Sequence, residues 1–388
     1  MWLLILSPIA DNFNGYLLLT GRSSNISIIV KTIIFIFCLL ISIKITTTKK
    51  MIQIICMLLF FAVQLAVFEL SSAGGIGYNI STLIKVFTPI IIIMAVRALS
   101  VYDMNIAVCI NYITNFYCWF FPISLIIPKL FNIGYTTYEG GVGNKGFYYG
   151  GNEISIVMII ILALEIEKYK KNKSKANLLN ILLGIISVLY LGTKSVYISL
   201  VVFIVIALYS EQSINKKLLN FVLITPTISL GLWYIINNVE LVTRNINALI
   251  WKYTVRSTGM LNFLLSGREI EITRAIDLVY DKNIIWKVFW GIGPNTAENV
   301  LQLLIEMDLF DLVIRFGVIV SIIIIRFYVI YIKKVIQTRE ILYIIGIFLT
   351  YGAAFFSGHM IFSPMVGIVL VILLLRIEFV TEKTEKVL

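Results

Sequence analysis

Acidic and basic side chains are concentrated where an apolar stretch begins, just after residue 306. Asp308, Asp311 and Arg315 are spaced at i, i+3 and i+7, which places them on one face of a helix. Asp311 precedes Arg315 by four residues, the order that favours an ion pair along a helix. Glu306 stands directly before them. Because ionisable groups are costly at membrane depth, the pattern predicts a functional site, with a self-neutralising ion pair as the structural alternative.

A second candidate lies in the long polar stretch that precedes this helix. Arg268 follows a glycine, stands beside Glu269, and is followed six residues later by Arg274. An arginine side chain presents a planar fork that matches the oxygens of a phosphate group. The alternative is that Arg268 pairs with a neighbouring carboxylate and only stabilises the loop.

Two further candidates lie in connections between apolar stretches. Lys194 is in the tight turn Leu191–Ser195, where it would meet a phosphate as a compact point charge or simply anchor the turn by snorkelling. Lys145, Asn152 and Glu153 lie in the segment GNKGFYYGGNE, whose glycines and aromatic rings suit a sugar ligand. A flexible loop with a helix cap is the alternative for that segment.

The composition indicates that a membrane positions these residues. The chain has 388 residues, of which 59% are hydrophobic and 14% are charged, far from the usual balance of soluble domains. The formal net charge of +11 then indicates basic loops on the cytoplasmic side, and nucleic-acid binding is not a candidate. A single histidine, His359, excludes multi-histidine metal sites. The four cysteines all lie in apolar stretches and are predicted to be buried small hydrophobes.

The apolar stretches predict an all-α, polytopic membrane protein with about 12 transmembrane helices. The predicted spans lie at about 2–19, 26–43, 51–70, 80–98, 105–128, 153–166, 177–192, 196–210, 218–236, 307–327, 341–357 and 361–377. Basic residues collect in alternate connections, such as the five lysines between positions 168 and 175, so both termini are predicted to be cytoplasmic. We expect Asp11 to mark a break in the first span, and Lys31 and Lys85 to snorkel.

This topology divides the chain into three parts. Residues 1–237 hold nine spans and an outer loop at 129–151, residues 238–306 form one large extracytoplasmic loop, and residues 307–388 hold three spans and a cytoplasmic tail. The large loop is predicted to contain interfacial helices, with Ile272, Ile276, Val279 and Tyr280 on one apolar face. Gly291-Ile292-Gly293 lacks the third glycine and the preceding strand of a dinucleotide-binding motif.

The arrangement resembles the Wzy-type polysaccharide repeat-unit polymerases of the O-antigen polymerase and ligase-like superfamily. The resemblance covers the topology of nearly the whole chain, with one dominant outer loop before the last three spans. Its local motifs are GNKGFYYGGNE at 143–153, LGTKS at 191–195, SGRE at 266–269, WGIG at 290–293 and EMDLFDLVIRFG at 306–317. Lys194 stands where the family commonly has arginine, which leaves the phosphate-binding geometry there in doubt because the two side chains are not interchangeable.

The resemblance implies a metal-independent glycosyltransfer, without cofactors, on the outer face of the bacterial cytoplasmic membrane. The substrates would be glycans linked to undecaprenyl diphosphate, and the expected partners are the bilayer, a chain-length regulator and a flippase. Arg268, Glu306 and Asp308 are then expected in catalysis, with Glu306 or Asp308 as the base. The expected substrate-binding residues are Lys194, Arg274, Asp311, Arg315, Lys145, Asn152 and Glu153.

Three alternatives remain. An O-antigen ligase of the same superfamily is expected to carry a histidine near the end of the large outer loop, whereas residues 299–311 contain none and His359 lies between the last two spans. A lipid-linked oligosaccharide flippase would show related halves and midplane charges, and the sequence has no internal repeat. A purely structural membrane protein would tolerate the loss of Arg268 as readily as that of other loop basic residues.

Overall fold

The computed structural model describes residues 1–45, 48–71, 75–102, 105–138, 143–209, 268–279, 284–303, 305–338 and 340–381. Within this part of the chain the secondary structure is helical and contains no strand. Of the helices in the described residues, nine lie before residue 280: α1 Leu3–Leu19, α2 Ile26–Ile45, α3 Thr48–Ser71, α4 Ile76–Leu99, α5 Ile106–Leu130, α6 Gly151–Lys171, α7 Lys175–Leu191, α8 Lys194–Tyr209 and α9 Arg268–Val279. Four follow: α10 Ile284–Trp290, α11 Asp308–Gln337, α12 Ile341–Ser357 and α13 Pro364–Arg376.

These helices confirm the predicted all-α, polytopic membrane fold. Each predicted span coincides with a helix except the ninth, at 218–236, which lies outside the described residues. Among the described residues, 4 helices are by length and composition long and apolar enough to cross a membrane, and several shorter apolar helices accompany them. α2 keeps large apolar side chains such as Ile29, Ile33 and Leu40 exposed on its outer side, as a lipid-facing helix does.

Two helices form the centre of the bundle. Every residue from Ile154 to Glu165 of α6 is buried, and so is every residue of α13. Because no residue of these two stretches is exposed, other helices must surround them. α13 packs against α4, α5 and α6, while α6 also packs against α7, α8 and α12.

The first helix corrects two predictions. α1 runs from Leu3 to Leu19 without a break, so the expected interruption near Asp11 is wrong. The Asp11 carboxylate instead accepts hydrogen bonds from Ser27 and Lys31 of α2. The Lys31 side chain is only 12% exposed, so Lys31 does not snorkel, because a carboxylate on the adjacent helix neutralises it in place. Lys85 is partly buried and lines a cavity with this pair.

The large loop contains helices where interfacial helices were predicted. The face of α9 that is buried differs from the predicted apolar face. Ala275 and Val279 of α9 are buried in a small apolar cluster that includes Ile292, Leu303 and Ile314. Ile276, which was expected on the buried face, is 51% exposed. The buried residues of α9, Ala275 and Val279, are four positions apart, and Ala275 lies one residue before Ile276. Tyr280 lies outside the described residues.

One end of the bundle is held by two ion pairs, of which the Arg376–Glu167 pair is buried, and we call it the Arg376 end. Arg376 donates to the Glu167 carboxylate from Nε at 3.2 Å and from Nη2 at 3.0 Å, and to the Asn111 side chain. Arg97 forms a two-pronged pair with Glu378, at 2.8 and 2.9 Å. The paired side chains come from α4, α5, α6 and α13 and from the turn after α13, so the contacts tie these helices together.

Candidate functional site

The opposite end of the bundle, which we call the Glu306 end, brings three sequentially distant residues together. Arg268 opens α9, and its Nη2 lies 2.7 Å from Oε2 of Glu306. The Nε2 atom of His359 lies 3.9 Å from the other carboxylate oxygen of Glu306. The Glu306 side chain is 42% exposed, His359 34% and Arg268 14%. The carboxylate is therefore accessible between a guanidinium and an imidazole.

Both Glu306 and His359 adopt an unusual backbone conformation. Their φ angles are 56° and 73°, in the left-handed region that non-glycine residues rarely occupy. The two turns also touch, because a Cβ on Gly358 would lie 2.6 Å from the Glu306 carbonyl oxygen. Strained backbone of this kind persists only where its surroundings fix it, and it is concentrated at functional sites.

The contact that fixes the His359 turn comes from Asp308. One Asp308 carboxylate oxygen accepts the backbone N–H of His359 at 2.8 Å. The other accepts the N–H groups of Met360 at 2.8 Å and Ile361 at 3.0 Å. Asp308 is 2% exposed, so these donors take the place of water around a buried charge. The contacts give Asp308 a positioning role toward His359.

Arg315 organises a neighbouring ion cluster on α11. Its Nη1 lies 3.0 Å from Glu298, and its Nη2 lies 3.4 Å from Asp311 one turn earlier. The guanidinium also sits over the ring of Phe362, 4.9 Å from the centroid. With 7% of its side chain exposed, Arg315 faces two carboxylates and an aromatic ring. The predicted Asp311–Arg315 pair is present, and Glu298 is an additional partner that the helical spacing did not indicate.

A kink in α11 supports this cluster. Gly317 has φ 75° and ψ 175°, a conformation open to glycine, so the helical hydrogen bonds are interrupted there. The carbonyl groups released by the kink find other donors: Ile292 N–H bonds to Ile314 at 2.9 Å, Gly293 N–H to Arg315 at 3.1 Å, and the Gln64 side chain to Phe316 at 2.8 Å. The WGIG motif therefore supplies backbone N–H donors to carbonyl groups that the kink in this membrane helix leaves without a helical partner.

The glycine-rich loop and the LGTKS turn also meet. Asn144 N–H bonds to the Tyr190 carbonyl at 2.7 Å, and a Cβ on Gly143 would lie 2.5 Å from the Leu191 carbonyl oxygen. The Lys145 ammonium lies 5.7 Å from the ring centroids of Tyr135 and Tyr149. Burial lowers the pKa of Lys145, while the Glu153 carboxylate acts in the opposite direction.

The remaining predicted site residues lie on several different helices. Lys194 begins α8, and its side chain is outside the described part of the structure. Arg274 is 47% exposed and pairs with Glu271 on its own helix at 3.5 Å. Asn152 and Glu153 lie in the first turn of α6, where Glu153 lines the cavity that also contains Lys85. The structure thus brings Arg268, Glu306 and Asp308 together, with Asp311 and Arg315 nearby on α11.

His359 is the residue that sequence reasoning left out of the site. It was set aside because it lies far from the large loop along the chain. Two signals pointed to it: it is the only histidine, and it follows a glycine in a short polar break between two apolar spans. Glu306 or Asp308 was expected as the base, and nothing in the sequence indicated that the Asp308 carboxylate also accepts the backbone N–H groups of the His359 turn.

Among the described residues, no group of three or more histidine, cysteine, aspartate or glutamate side chains could hold a metal ion. No curated protein and no solved structure matches the chain. A family model does match, and it covers residues 250–380, which include Arg268, Glu306, Asp308, Arg315 and His359. The match supports a membrane glycan-processing function and confirms the resemblance to the superfamily. Over this part, the chain is similar to the family described as O-antigen ligase like membrane proteins.

Proposed function

We propose that the protein polymerises oligosaccharide repeat units carried on undecaprenyl diphosphate, forming O-antigen or capsular polysaccharide. The observation that carries the proposal is the accessible Glu306 carboxylate, with the Arg268 guanidinium 2.7 Å away and His359 Nε2 at 3.9 Å. Glycosyltransfer from a lipid diphosphate needs a group that accepts the proton of the attacking hydroxyl and a cation that meets the departing diphosphate. These side chains supply both.

The reaction joins two lipid-linked glycans. A hydroxyl oxygen of the acceptor sugar forms a bond to the anomeric carbon of the donor, and the bond from that carbon to the diphosphate oxygen breaks. Glu306 accepts the hydroxyl proton, and undecaprenyl diphosphate leaves with the bonding electrons. Arg268 stabilises the charge that develops on the leaving group, as an electrostatic group aimed at the transition state does. No metal ion is required in this scheme.

The pairing of Arg268 with Glu306 gives the substrate a means to activate the base. Diphosphate oxygens match the guanidinium fork as well as a carboxylate does, so a bound donor competes with Glu306 for Arg268. When the diphosphate takes the guanidinium, Glu306 is released to face the acceptor hydroxyl. Asp308 keeps His359 in place throughout, through its three backbone N–H contacts.

The proposed working face is the outer side of the cytoplasmic membrane, with both termini in the cytoplasm. The distribution of lysine and arginine over the short connections supports this orientation. The proposed partners are the bilayer, the lipid-linked glycan, a chain-length regulator and a flippase. Lys145, Asn152 and Glu153 would meet the glycan from the loop at 143–153, while Lys194, Arg274, Asp311 and Arg315 remain proposed contacts at its phosphate or sugar groups.

Ligation of a finished glycan to a lipid A-core acceptor is a second candidate, and one observation favours it. The absence of histidine near the end of the large loop had weighed against a ligase. His359 reaches the site from another segment, so that objection no longer separates the two reactions. Both use the same donor chemistry, and they differ in the acceptor.

A gel of surface glycan from a strain that lacks the protein separates these functions. If polymerisation is lost, the ladder collapses to a single repeat attached to its acceptor, because export and attachment continue. If no repeat reaches the acceptor, ligation or export is the function and the polymerase proposal fails. Lipid-linked polymer that accumulates on the outer face of the membrane would then identify a ligase, and lipid-linked single repeats on the inner face would identify a flippase.

A further inference from the structure

A polar cavity lies beside the proposed catalytic site and is assigned to no step of the reaction above. It encloses about 210 Å³ and is bounded by α1, α2, α4, the start of α6 and the start of α13. We call it the Lys85 cavity. Its charged lining residues are Asp11, Lys31, Lys85 and Glu153. Lys31, Lys85 and Glu153 lie in the halves of α2, α4 and α6 that share the predicted outer side with Glu306, and Asp11 lies at the middle of α1.

The charges in the cavity balance. Lys31 is already bonded to Asp11 from the adjacent helix, and Ser27 donates to the same carboxylate. Lys85 and Glu153 lie within electrostatic range of each other and of Lys31. Two lysines and two carboxylates give these four groups no net charge. A phosphate would meet the two carboxylates as well as the two ammonium groups, so the cavity is poorly suited to an anion.

The lining is instead suited to a neutral ligand rich in hydroxyl groups. Carboxylates accept hydrogen bonds from hydroxyls, and ammonium groups donate to them. The Tyr149 ring at the cavity wall is 78% exposed, and it offers an apolar face to a sugar ring. The volume is below the range of roughly 300–1,000 Å³ that holds drug-sized ligands, and it suits a single ring.

The cavity also adjoins the catalytic site through one short segment. The turn that carries His359 leads directly into Phe362, Ser363, Pro364 and Met365, all of which line the cavity. Phe362 lies under the guanidinium of Arg315 as well. A ring held in the cavity is therefore separated from the Arg315 cluster by one aromatic side chain.

We propose that the Lys85 cavity binds one sugar ring of a lipid-linked glycan, through Lys85, Glu153 and the Tyr149 face. This inference rests on the proposed function, because it names where part of that substrate is held. It assigns roles to Asp11, Lys31 and Lys85: Asp11 neutralises Lys31 and fixes its ammonium in the wall, and Lys85 donates directly to the sugar.

Protection of an engineered cysteine tests the proposal. Ser81 lines the cavity, so Ser81→Cys is made in a chain whose native cysteines are replaced by alanine, and a charged methanethiosulfonate reagent is applied in nanodiscs. The probes are the lipid-linked repeat unit, isolated from cells without this protein, and undecaprenyl diphosphate without sugar. We expect the repeat unit to slow modification about tenfold and the sugar-free lipid to leave it unchanged. Ser23→Cys, exposed in the turn before α2, is the matched control that neither probe protects.

Lys85→Gln and Glu153→Gln, each combined with Ser81→Cys, should abolish the protection. Equal protection by both lipids would overturn the proposal and identify an anion site. No protection by the repeat unit, in a protein that still forms glycan product, would also overturn it and leave the proposed function intact. Protection without any product from the same preparation would instead contradict the proposed function, because binding and turnover are measured separately.

Discussion

The charged side chains at the two ends of the bundle differ in their exposure and in their hydrogen bonding. At the Arg376 end, Arg376 and Glu167 are 7% and 2% exposed and bond to each other through two nitrogens. At the Glu306 end, the central carboxylate is 42% exposed, and its second oxygen faces His359 at 3.9 Å, beyond hydrogen-bond distance. The first arrangement is closed to a ligand, and the second leaves groups that a ligand can bind.

The contrast separates charges that hold helices together from charges that can do chemistry. A buried, fully bonded pair gains nothing from a substrate, and breaking it is costly. A guanidinium paired with a half-exposed carboxylate can exchange that carboxylate for a phosphate at little cost. Glu165 is an exception near the Arg376 end, since neither of its carboxylate oxygens has a hydrogen-bond partner among the described residues.

The largest expected effect comes from removing the proposed base. Glu306→Gln keeps the shape of the side chain and loses the proton acceptor, so we expect polymer formation to fall about 10²–10⁴-fold, the usual contribution of a general base. The measurement is the rate of polymer formation from purified lipid-linked repeats at equal membrane abundance. Glu271→Gln is the control, because it removes another partly exposed carboxylate of the same region, whose charged partner is Arg274 at 3.5 Å, and its rate should stay within twofold. A Glu306→Gln variant as active as this control would remove the distinction between the two ends.

The next effect concerns stability at the other end. Arg376→Leu leaves the buried Glu167 carboxylate with Lys171 as its remaining charged partner, at 2.7 Å, so we expect a loss on the order of 3 kcal/mol. A lower unfolding temperature in detergent reports it, while the rate per folded molecule stays the same. Adding Glu167→Leu should restore most of the stability, because no uncompensated charge then remains. If the rate per folded molecule fell while the unfolding temperature stayed the same, the Arg376 end would take part in the reaction.

The smallest effect is expected next to Tyr149, one of the residues that line the Lys85 cavity. Lys145→Met keeps the hydrocarbon stem and removes the ammonium that lies against Tyr135 and Tyr149. Interactions of this kind contribute about 0.5–1 kcal/mol at accessible sites, which corresponds to about a two- to fivefold change in binding. The concentration of repeat unit that gives half-maximal polymer formation should rise by that factor. An unchanged concentration would show that Lys145 does not contribute to binding of the repeat unit.

Much of the fold could be predicted because apolar length and basic loops depend on local sequence. Apart from α9 and α10 in the large loop, the described helices fall where hydropathy placed the spans, and the Asp311–Arg315 pair follows from helical spacing alone. α1 was misjudged because Asp11, Asn12 and Asn14 look like a break. The compensating partner, Lys31, is on another helix, and a single stretch of sequence cannot show it.

The site was only partly predictable for the same reason. Arg268 and Glu306 were singled out by residue type, but their 2.7 Å contact depends on how α9 packs against the segment before α11. His359 was missed because its place in the site depends on the Asp308 carboxylate, which binds the turn through backbone N–H groups of any residue type. Because these N–H groups belong to the backbone, the residue types of the His359 turn do not show that a carboxylate binds it.

The two sites draw on different parts of the chain. The proposed catalytic residues lie within the stretch that matches the family model, at 250–380. The wall of the Lys85 cavity comes from residues 11–153, apart from Phe362 to Met365. Mutation and selection can therefore reshape the cavity without disturbing the Arg268–Glu306 pair. Substitutions within residues 11–153 are therefore expected to change which sugar the proposed cavity accepts while the proposed Arg268–Glu306 chemistry stays the same.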